Sequence, residues 1–364
     1  MLRNKTVAVV VPAYNEEKQI KRVIEKMPSF VDRMVVVNDY STDKTLSVLK
    51  TYLQRNNRSK TIKGKSIRII PTTYNKAEIV LKKIEKEESQ RFTPSNIINK
   101  NPDKERVIVI NHLRNAGVGA SIATGYRWCR DHNIDCTAVM AGDAQMDPTE
   151  LKSICLPVIK EEVDYVKGNR LSHRSALFVV PKIRYFGNSV LSLLTKIASG
   201  YWHISDTQSG FTSISLNALN AIRLHKIYKK YGCPNDILVK LNIAFCTIKE
   251  VPIKPIYFIG ENSKMKINIV IPKIIALLIK SFFGRLYIKY FFRDFHPLFL
   301  LYHLSFMIFL FNVPLTFKVI RSFYPDNPLS TQSFIAFVFL SISGFQSLFF
   351  AMWMDMMDNE RLQK

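Results

Sequence analysis

Apolar and polar positions alternate in blocks along this chain, and each block has the length of one secondary-structure element. Val7 to Val11 is a continuous apolar run of strand length, and past the polar stretch PAYNEE, Ile20, Val23, Ile24 and Met27 recur at helical spacing. RMVVVNDYSTDKTLSVLKTYL repeats the theme: a strand over Met34 to Val37, a polar loop, and a helix with Ser41 or Thr42 as its expected cap. Val107 to Ile110 predicts a further strand, leading through NAGVGAS into a helix, and TAVM predicts the next, stopping at Ala141 and Gly142. After Glu150, one more helix and a short strand over Asp164 to Val166 end in KGNR. Strands alternating with helices predict a parallel α/β sheet whose ligands bind at the carboxyl ends of its strands.

Two regions break the rhythm. From about Gln54 to Arg106 the sequence turns basic and Asn-rich, with one exposed helix expected over KAEIVLKKIEKEE; ordinary connections are several-fold shorter, so 54–106 reads as an insertion of unassigned purpose. Near Lys273 the composition shifts again. IPKIIALLIKSFFGRLYIKYFFRDF is apolar but studded with Lys273, Lys280, Arg285, Lys289 and Arg293, the mixture expected of helices lying in a headgroup layer. Pro297 to Phe317 and Ser333 to Met354 are then long and apolar enough to cross a bilayer as a hairpin. Basic residues crowd the approach to the first span, which places the N-terminal domain on the cytoplasmic side. The apolar run at the N-terminus is short and breaks at Pro12, so it reads as a first buried strand and not a signal peptide.

A formal net charge of +23 points to an anionic partner. The aromatics gather in the last quarter instead of interleaving with the basic residues, which argues against nucleic acid and for membrane or phosphorylated substrates. Five cysteines with no CxxC pair, Cys129, Cys136, Cys155, Cys233 and Cys246, indicate reduced core thiols and neither a zinc site nor a disulfide framework.

The candidate chemistry concentrates in VMAGDAQMDPTEL, where a strand ends in Asp143, Gln145 and Asp147. Carboxylates at the carboxyl edge of a parallel sheet suit a divalent cation, Mg²⁺ or Mn²⁺, holding a diphosphate, because Mg²⁺ takes one or two carboxylates plus phosphate oxygens. Asp143 is the first-choice ligand and Gln145 a second contact to the metal or to phosphate; Asp147 before Pro148 is equally a helix N-cap. Gly117 and Gly119 either let backbone approach a ligand at a helix start or simply make a tight turn. Ser263, Lys264 and Lys266 suit a loop that closes over phosphate or faces anionic lipid.

Taken in order, VVVPAYNEE, VVVNDYSTDKT, NAGVGASIATGY and GDAQMDP resemble a family-2 glycosyltransferase of the GT-A fold, over most of Val7 to about Leu241 less the insertion. With the two C-terminal spans the resemblance is to the polyprenyl- and dolichyl-phosphate hexose synthases. It implies an α/β, Rossmann-like nucleotide-sugar-binding domain over 1–265, membrane-surface helices over 266–296, a transmembrane hairpin over 297–355 and a cytoplasmic tail over 356–364. The implied reaction moves a hexose from a GDP- or UDP-linked donor to polyprenyl phosphate at the cytoplasmic face, with inversion. Homo-oligomer formation stays open.

By the same resemblance Pro12, Tyr14, Glu16 and Asp39 grip the base and ribose, and Asp206, Gln208 and Ser209 of DTQSGF lie near the donor sugar and diphosphate. Arg170 of KGNR, with Arg184 and Asn188, falls where acceptor-phosphate contacts are placed, a task that suits arginine's planar fork. Asp236 stands where related enzymes place an acid near the acceptor, although a helix N-cap at Asn235 or Asp236 fits as well. The chain departs from the family pattern at Asn38 and Tyr40, where a second acid and a glycine are usual, and at Ala141, where the metal motif has its first acid. Rival readings are a hydroxyl-acceptor glycosyltransferase, in which Asp236 would serve as a true base, a nucleotidyltransferase, which lacks its glycine-rich N-terminal loop here, and a non-catalytic nucleotide-sugar-binding scaffold.

Overall fold

The computed structural model describes residues 1–54, 59–64, 72–256, 267–324 and 327–364. Ser263, Lys264 and Lys266 lie outside the described residues. Among these the strands are β1 (Val7–Ala13), β2 (Arg33–Asn38), β3 (Ser95–Ile97), β4 (Val107–His112), β5 (Cys136–Val139), β6 (Tyr165–Asn169), β7 (Thr212–Ser215) and β8 (Ile248–Pro252). The helices are α1 (Ile20–Glu25), α2 (Thr45–Gln54), α3 (Lys76–Ser89), α4 (Val118–Asp131), α5 (Leu151–Ile159), α6 (Ala176–Val179), α7 (Lys182–Ser199), α8 (Leu216–Ala221), α9 (Cys233–Ile243), α10 (Ile267–Tyr287), α11 (Pro297–Arg321) and α12 (Thr331–Glu360).

The strands form a single mixed sheet in the order β3-β4-β2-β1-β5-β7-β6-β8, with β3 and β7 antiparallel to their neighbours. Continuous apolar runs make these strands because both faces are covered: Val7, Val9 and Val11 pack into one layer, Ala8 and Val10 into the other. All five cysteines are buried and free, as reduced core thiols. The helix expected within 54–106 is α3, which buries none of its side chains; the same segment also supplies β3, so the sheet edge beside β4 belongs to it. At α2, Asp43 Oδ1 accepts from the Thr45 amide, while Ser41 and Thr42 bond to Asn15 instead of capping the helix.

The basic segment differs from its expected headgroup arrangement. It is one helix, α10, running directly into a π-helical turn, Ile288–Arg293. Lys273, Lys280 and Arg293 are exposed, but Arg285 and Lys289 are buried. Their partners explain this. Arg285 makes a two-pronged pair with Asp355 of α12 (2.7 and 2.8 Å) and donates two further N–H groups to the carbonyls of Ile197 and Ala198 at the end of α7 (both 3.0 Å). Asn359 bridges Lys289 Nζ (2.6 Å) and Asn242 of α9 (2.7 Å), and Lys289 also pairs with Asp358 (3.1 Å). Gly200, at φ +77°, closes α7 under the guanidinium; a Cβ there would lie 2.5 Å from Arg285 Nη1.

The tail expected over 356–364 is docked against the sheet. The α12 helix continues to Glu360, and Leu362 and Lys364 then exchange backbone hydrogen bonds with Ile248 of edge strand β8 (2.8 and 3.1 Å). The α11 and α12 helices are long and apolar enough to cross a membrane and pack along each other. Removing one member of a buried pair leaves an uncompensated charge, so Asp355→Ala should lower stability by about 3–5 kcal/mol. The double replacement Arg285→Met with Asp355→Leu should cost far less. Thermal unfolding of the detergent-solubilised protein measures both; an Asp355→Ala variant as stable as the parent would show that this pair is not the joint.

Candidate active site

Strand order reverses at β1, which has β2 on one side and β5 on the other, and such a switch point opens a crevice at the carboxyl ends of the strands. The register carries the sequence motifs to that edge. Ala13 sits opposite Asn38, Asn38 opposite Asn111, and the ladder continues past β5 as Gly142 N donates to the Pro12 carbonyl (3.1 Å). The loops after β1, β2, β4, β5 and β6 therefore line one edge, joined by the DTQSGF loop that enters antiparallel β7 opposite Val139. Three non-glycine residues in these loops adopt left-handed backbone: Asn15 (φ 55°), Tyr40 (φ 60°) and Ala144 (φ 60°). Each costs on the order of 1 kcal/mol, a strain that persists only where surrounding contacts impose it. Tyr40 takes this conformation at the position where the family pattern has glycine, and it remains half exposed.

On the β1–β4 side the organising group is Asp39. Its buried carboxylate accepts from the Ala116 amide (3.0 Å) and the Gly117 amide (2.7 Å) and lies 2.7 Å from His112 Nδ1; His112 Nε2 in turn lies 2.9 Å from Thr124 Oγ1. Burial alone would raise the Asp39 pKa, but the hydrogen bonds from His112 and the two amides outweigh it and hold the carboxylate below its ordinary range. Asp39 thus shapes the loop after β4. Pro12 and Glu16 are partly buried, and the backbone of PAYNEE is zipped to the next loop through Asn15 N to Ser41 Oγ (3.0 Å) and Glu16 N to Thr45 Oγ1 (2.9 Å).

The glycine pair packs against the protein's own backbone. A Cβ on Gly119 would lie 2.0 Å from the Tyr228 carbonyl, and one on Gly117 (φ +97°) 2.5 Å from that of Lys229. The Lys229 carbonyl also accepts from the Gly119 amide (2.9 Å). The close approach is by the protein's own backbone at Tyr228 and Lys229, which caps the start of α4 where an anion would otherwise sit.

On the β5–β7 side Asp143, partly buried, accepts from Gln145 N (3.0 Å) in a tight turn, and Asp147 accepts from Thr149 N (2.9 Å) as the N-cap of a 3₁₀ turn, Pro148–Glu150. Among the described residues no three His, Cys, Asp or Glu side chains converge to hold a metal by protein ligands alone. Asp206 and Arg170, separate candidates in the sequence, are one pair: Arg170 donates Nε (2.8 Å), Nη2 (3.1 Å) and its backbone amide (3.1 Å) to the Asp206 carboxylate, which also accepts from Ser209 N (3.1 Å). Beneath the loop, buried Lys167 donates to the Ser209 carbonyl (2.6 Å); burial pushes its pKa down to about 8 against the pull of Asp206 and Glu250.

Gln208 reaches Asn235 of α9 (3.0 Å), bringing the first turn of that helix to the loop. Asp236, though, is neither the N-cap, which is Gly232, nor an open base: it is buried, accepts from Tyr228 N (2.7 Å) and pairs with Lys240. Arg184 and Asn188 fall on α7, the helix that ends at the Arg285 joint; the Arg184 side chain lies outside the described part. Sequence reasoning missed His112 and Glu250, and placed Lys167 of KGNR on the acceptor phosphate instead of beneath the DTQSGF loop. His112 carried a signal, a polar residue closing an apolar strand. Glu250 serves through contacts made 45 positions along the chain.

The family model for glycosyl transferase family 2 matches residues 8–85. A UDP-N-acetylglucosamine–dolichyl-phosphate N-acetylglucosaminyltransferase from Methanococcus voltae is 27% identical over 70% of this chain and 88% of its own length. A dolichyl-phosphate β-glucosyltransferase from Trichomonas vaginalis is 23% identical over 72% of this chain and 68% of its own. Among solved structures, glucosyl-3-phosphoglycerate synthase from Mycobacterium tuberculosis, in complex with Mn²⁺, UDP and glucosyl-3-phosphoglycerate, aligns over 78% of this chain and 80% of that one, with 15% identity and a TM-score of 0.46. The matched segment spans β1, β2 and the strained loops after them, and over it the chain is similar to family-2 glycosyltransferases, with a mixed α/β sheet of the GT-A kind.

Proposed function

We propose that this enzyme transfers a hexose from a UDP- or GDP-linked donor to polyprenyl phosphate at the cytoplasmic face of a membrane, with inversion, and is anchored there by α11 and α12. One observation carries the reading. The polar joint around Arg285 fastens α7 and α9, the helices that bear Arg184, Asn188 and Asp236, to the end of an apolar helix long enough to span a bilayer. A water-soluble nucleotide sugar enters a crevice whose far side is tied to the lipid phase. The curated relatives named for dolichyl phosphate support that choice of acceptor.

In this reading Asp39 acts through the loop it holds, keeping the 113–117 backbone against the donor's base side. The Arg170–Asp206 pair, propped from below by Lys167, fixes the DTQSGF loop, and the partly exposed edge of the Arg170 guanidinium aims the acceptor phosphate. The phosphate nucleophile is already ionised, which fits an Asp236 committed to Tyr228 and Lys240 instead of serving as base. Asp143 and Gln145 fit a divalent cation only jointly with the donor's diphosphate, given Ala141 beside them; when bound, that cation supplies charge neutralisation of the leaving group.

Asp143→Asn should reduce transfer at least about 100-fold, the consequence of losing several kcal/mol of charge stabilisation, and should weaken donor binding only when metal is present. Asp39→Asn should weaken donor binding with or without metal. Titration calorimetry with a panel of nucleotide sugars separates the two, and a metal-independent defect in Asp143→Asn would remove Asp143 from the metal site.

Because Arg170 and Asp206 act as one pair, Arg170→Lys and Asp206→Asn should each lower kcat/KM by roughly 10- to 100-fold, the worth of a charge-assisted hydrogen bond, and the double variant should be little worse than either. Additive losses would show that they work apart. Incubation with donor and a short polyprenyl phosphate should give a sugar attached through a single phosphate, identified by mass spectrometry. Sugar on a hydroxyl acceptor, with activity abolished in Asp236→Asn, would overturn the proposal.

A further inference from the structure

Polar side chains in an apolar span have few ways to be satisfied, and in this hairpin most find partners inside it. Ser305 Oγ donates to the Gly344 carbonyl (3.0 Å), Ser347 Oγ to that of Leu301 (3.1 Å), and Asn312 Nδ2 to Ser341 Oγ (2.8 Å). These contacts lie on the small-residue face of α12, where Gly344, Ser347 and Ala351 are buried. Gln346 is different. It sits at the middle of the 30-residue α12 helix, is exposed, and among the described residues its amide meets no partner.

Gln346 also lies in a pattern. Ile335, Phe339, Ile342, Phe349 and Trp353 are each 57–67% exposed, and with Gln346 they recur at alternating steps of four and three residues, the spacing that keeps one seam of a helix facing another helix. Around the amide this seam forms a groove of about 750 Å³ walled by Ile342, Phe345, Phe349 and Trp353. Acyl chains can cover the apolar positions but offer nothing to an amide at mid-span.

We infer that this face of α12 pairs with the same face of a second copy of the chain, with the two Gln346 amides hydrogen-bonded across a two-fold axis. The inference rests on reading α12 as a bilayer span. A primary amide carries both donors and an acceptor and is therefore self-complementary. In one membrane two copies insert in the same orientation, so a two-fold axis along the membrane normal brings each residue of the seam opposite its own counterpart. A single polar residue in an otherwise apolar seam also sets the register of pairing.

The test uses the full chain in native membranes. Ile342→Cys and Phe349→Cys, each introduced singly, should form disulfide-linked dimers on copper-phenanthroline oxidation, whereas Leu310→Cys on the exposed side of α11 should not; the five native thiols are buried and give the background. Adding Gln346→Leu should weaken association about 3- to 20-fold, the range measured for interhelical hydrogen bonds in membranes, while Gln346→Asn should retain part of it. Equal cross-linking at all three positions, or none at 342 and 349 in protein that resists carbonate extraction, would overturn the pairing while leaving the membrane reading intact. Loss of cross-linking accompanied by a raised KM for long-chain but not short-chain acceptors in Gln346→Leu would assign the groove to the acceptor's own chain and likewise overturn it. Extraction of the whole protein by carbonate would overturn the membrane reading itself.

Discussion

The Arg285–Asp355 pair decides how the two halves of this molecule meet. Both charges are fully buried, and a buried charge is tolerated only with a partner and with its remaining hydrogen bonds met. Arg285 meets that condition by taking both oxygens of Asp355 and two carbonyls at the end of α7, and Asn359 and Lys289 extend the network to α9. The hydrophobic effect between the same helices is non-directional, whereas a fork of charge-assisted hydrogen bonds has a fixed geometry, so the helices bearing the acceptor-side candidates hold a defined height relative to the apolar hairpin.

A second consequence is that few of the charged groups at the carboxyl edge are left open. Asp39 is spent on two amides and a histidine, Asp206 on Arg170 and Ser209, and Asp236 on Tyr228 and Lys240. This is what positioning catalysis requires, since loops held by ionised groups in a partly dry crevice do not have to reorganise when charge develops. Asp143, partly buried, accepts from Gln145 N within a strained turn at the switch point. The left-handed Asn15, Tyr40 and Ala144 mark the same edge independently of any motif.

Much was legible in the sequence because local physics decides it. The apolar runs became strands, the helical periodicities became helices, and the two long apolar segments became the hairpin, since each depends on neighbours a few positions away. The motifs reached one edge for an equally simple reason: in a parallel sheet every strand ends on the same side. Asp147 shows the limit of the local view, where the modest reading as a cap is the one the geometry displays.

What only the tertiary structure decided are the partners of charges and glycines. Nothing near Arg285 or Lys289 in sequence distinguishes them from Lys280 or Arg293, yet the first two are buried because Asp355 and Asn359 arrive some 70 residues later. Gly117 and Gly119 allow either a ligand or a tight turn in sequence, and only the fold shows the backbone of Tyr228 and Lys229 filling the space. Arg170 and Asp206 read as contacts to different substrates until they are found to be one pair. Burial energy and periodicity are short-range properties that a sequence displays directly, whereas the pairing of a charge depends on which distant segment the fold returns to its side.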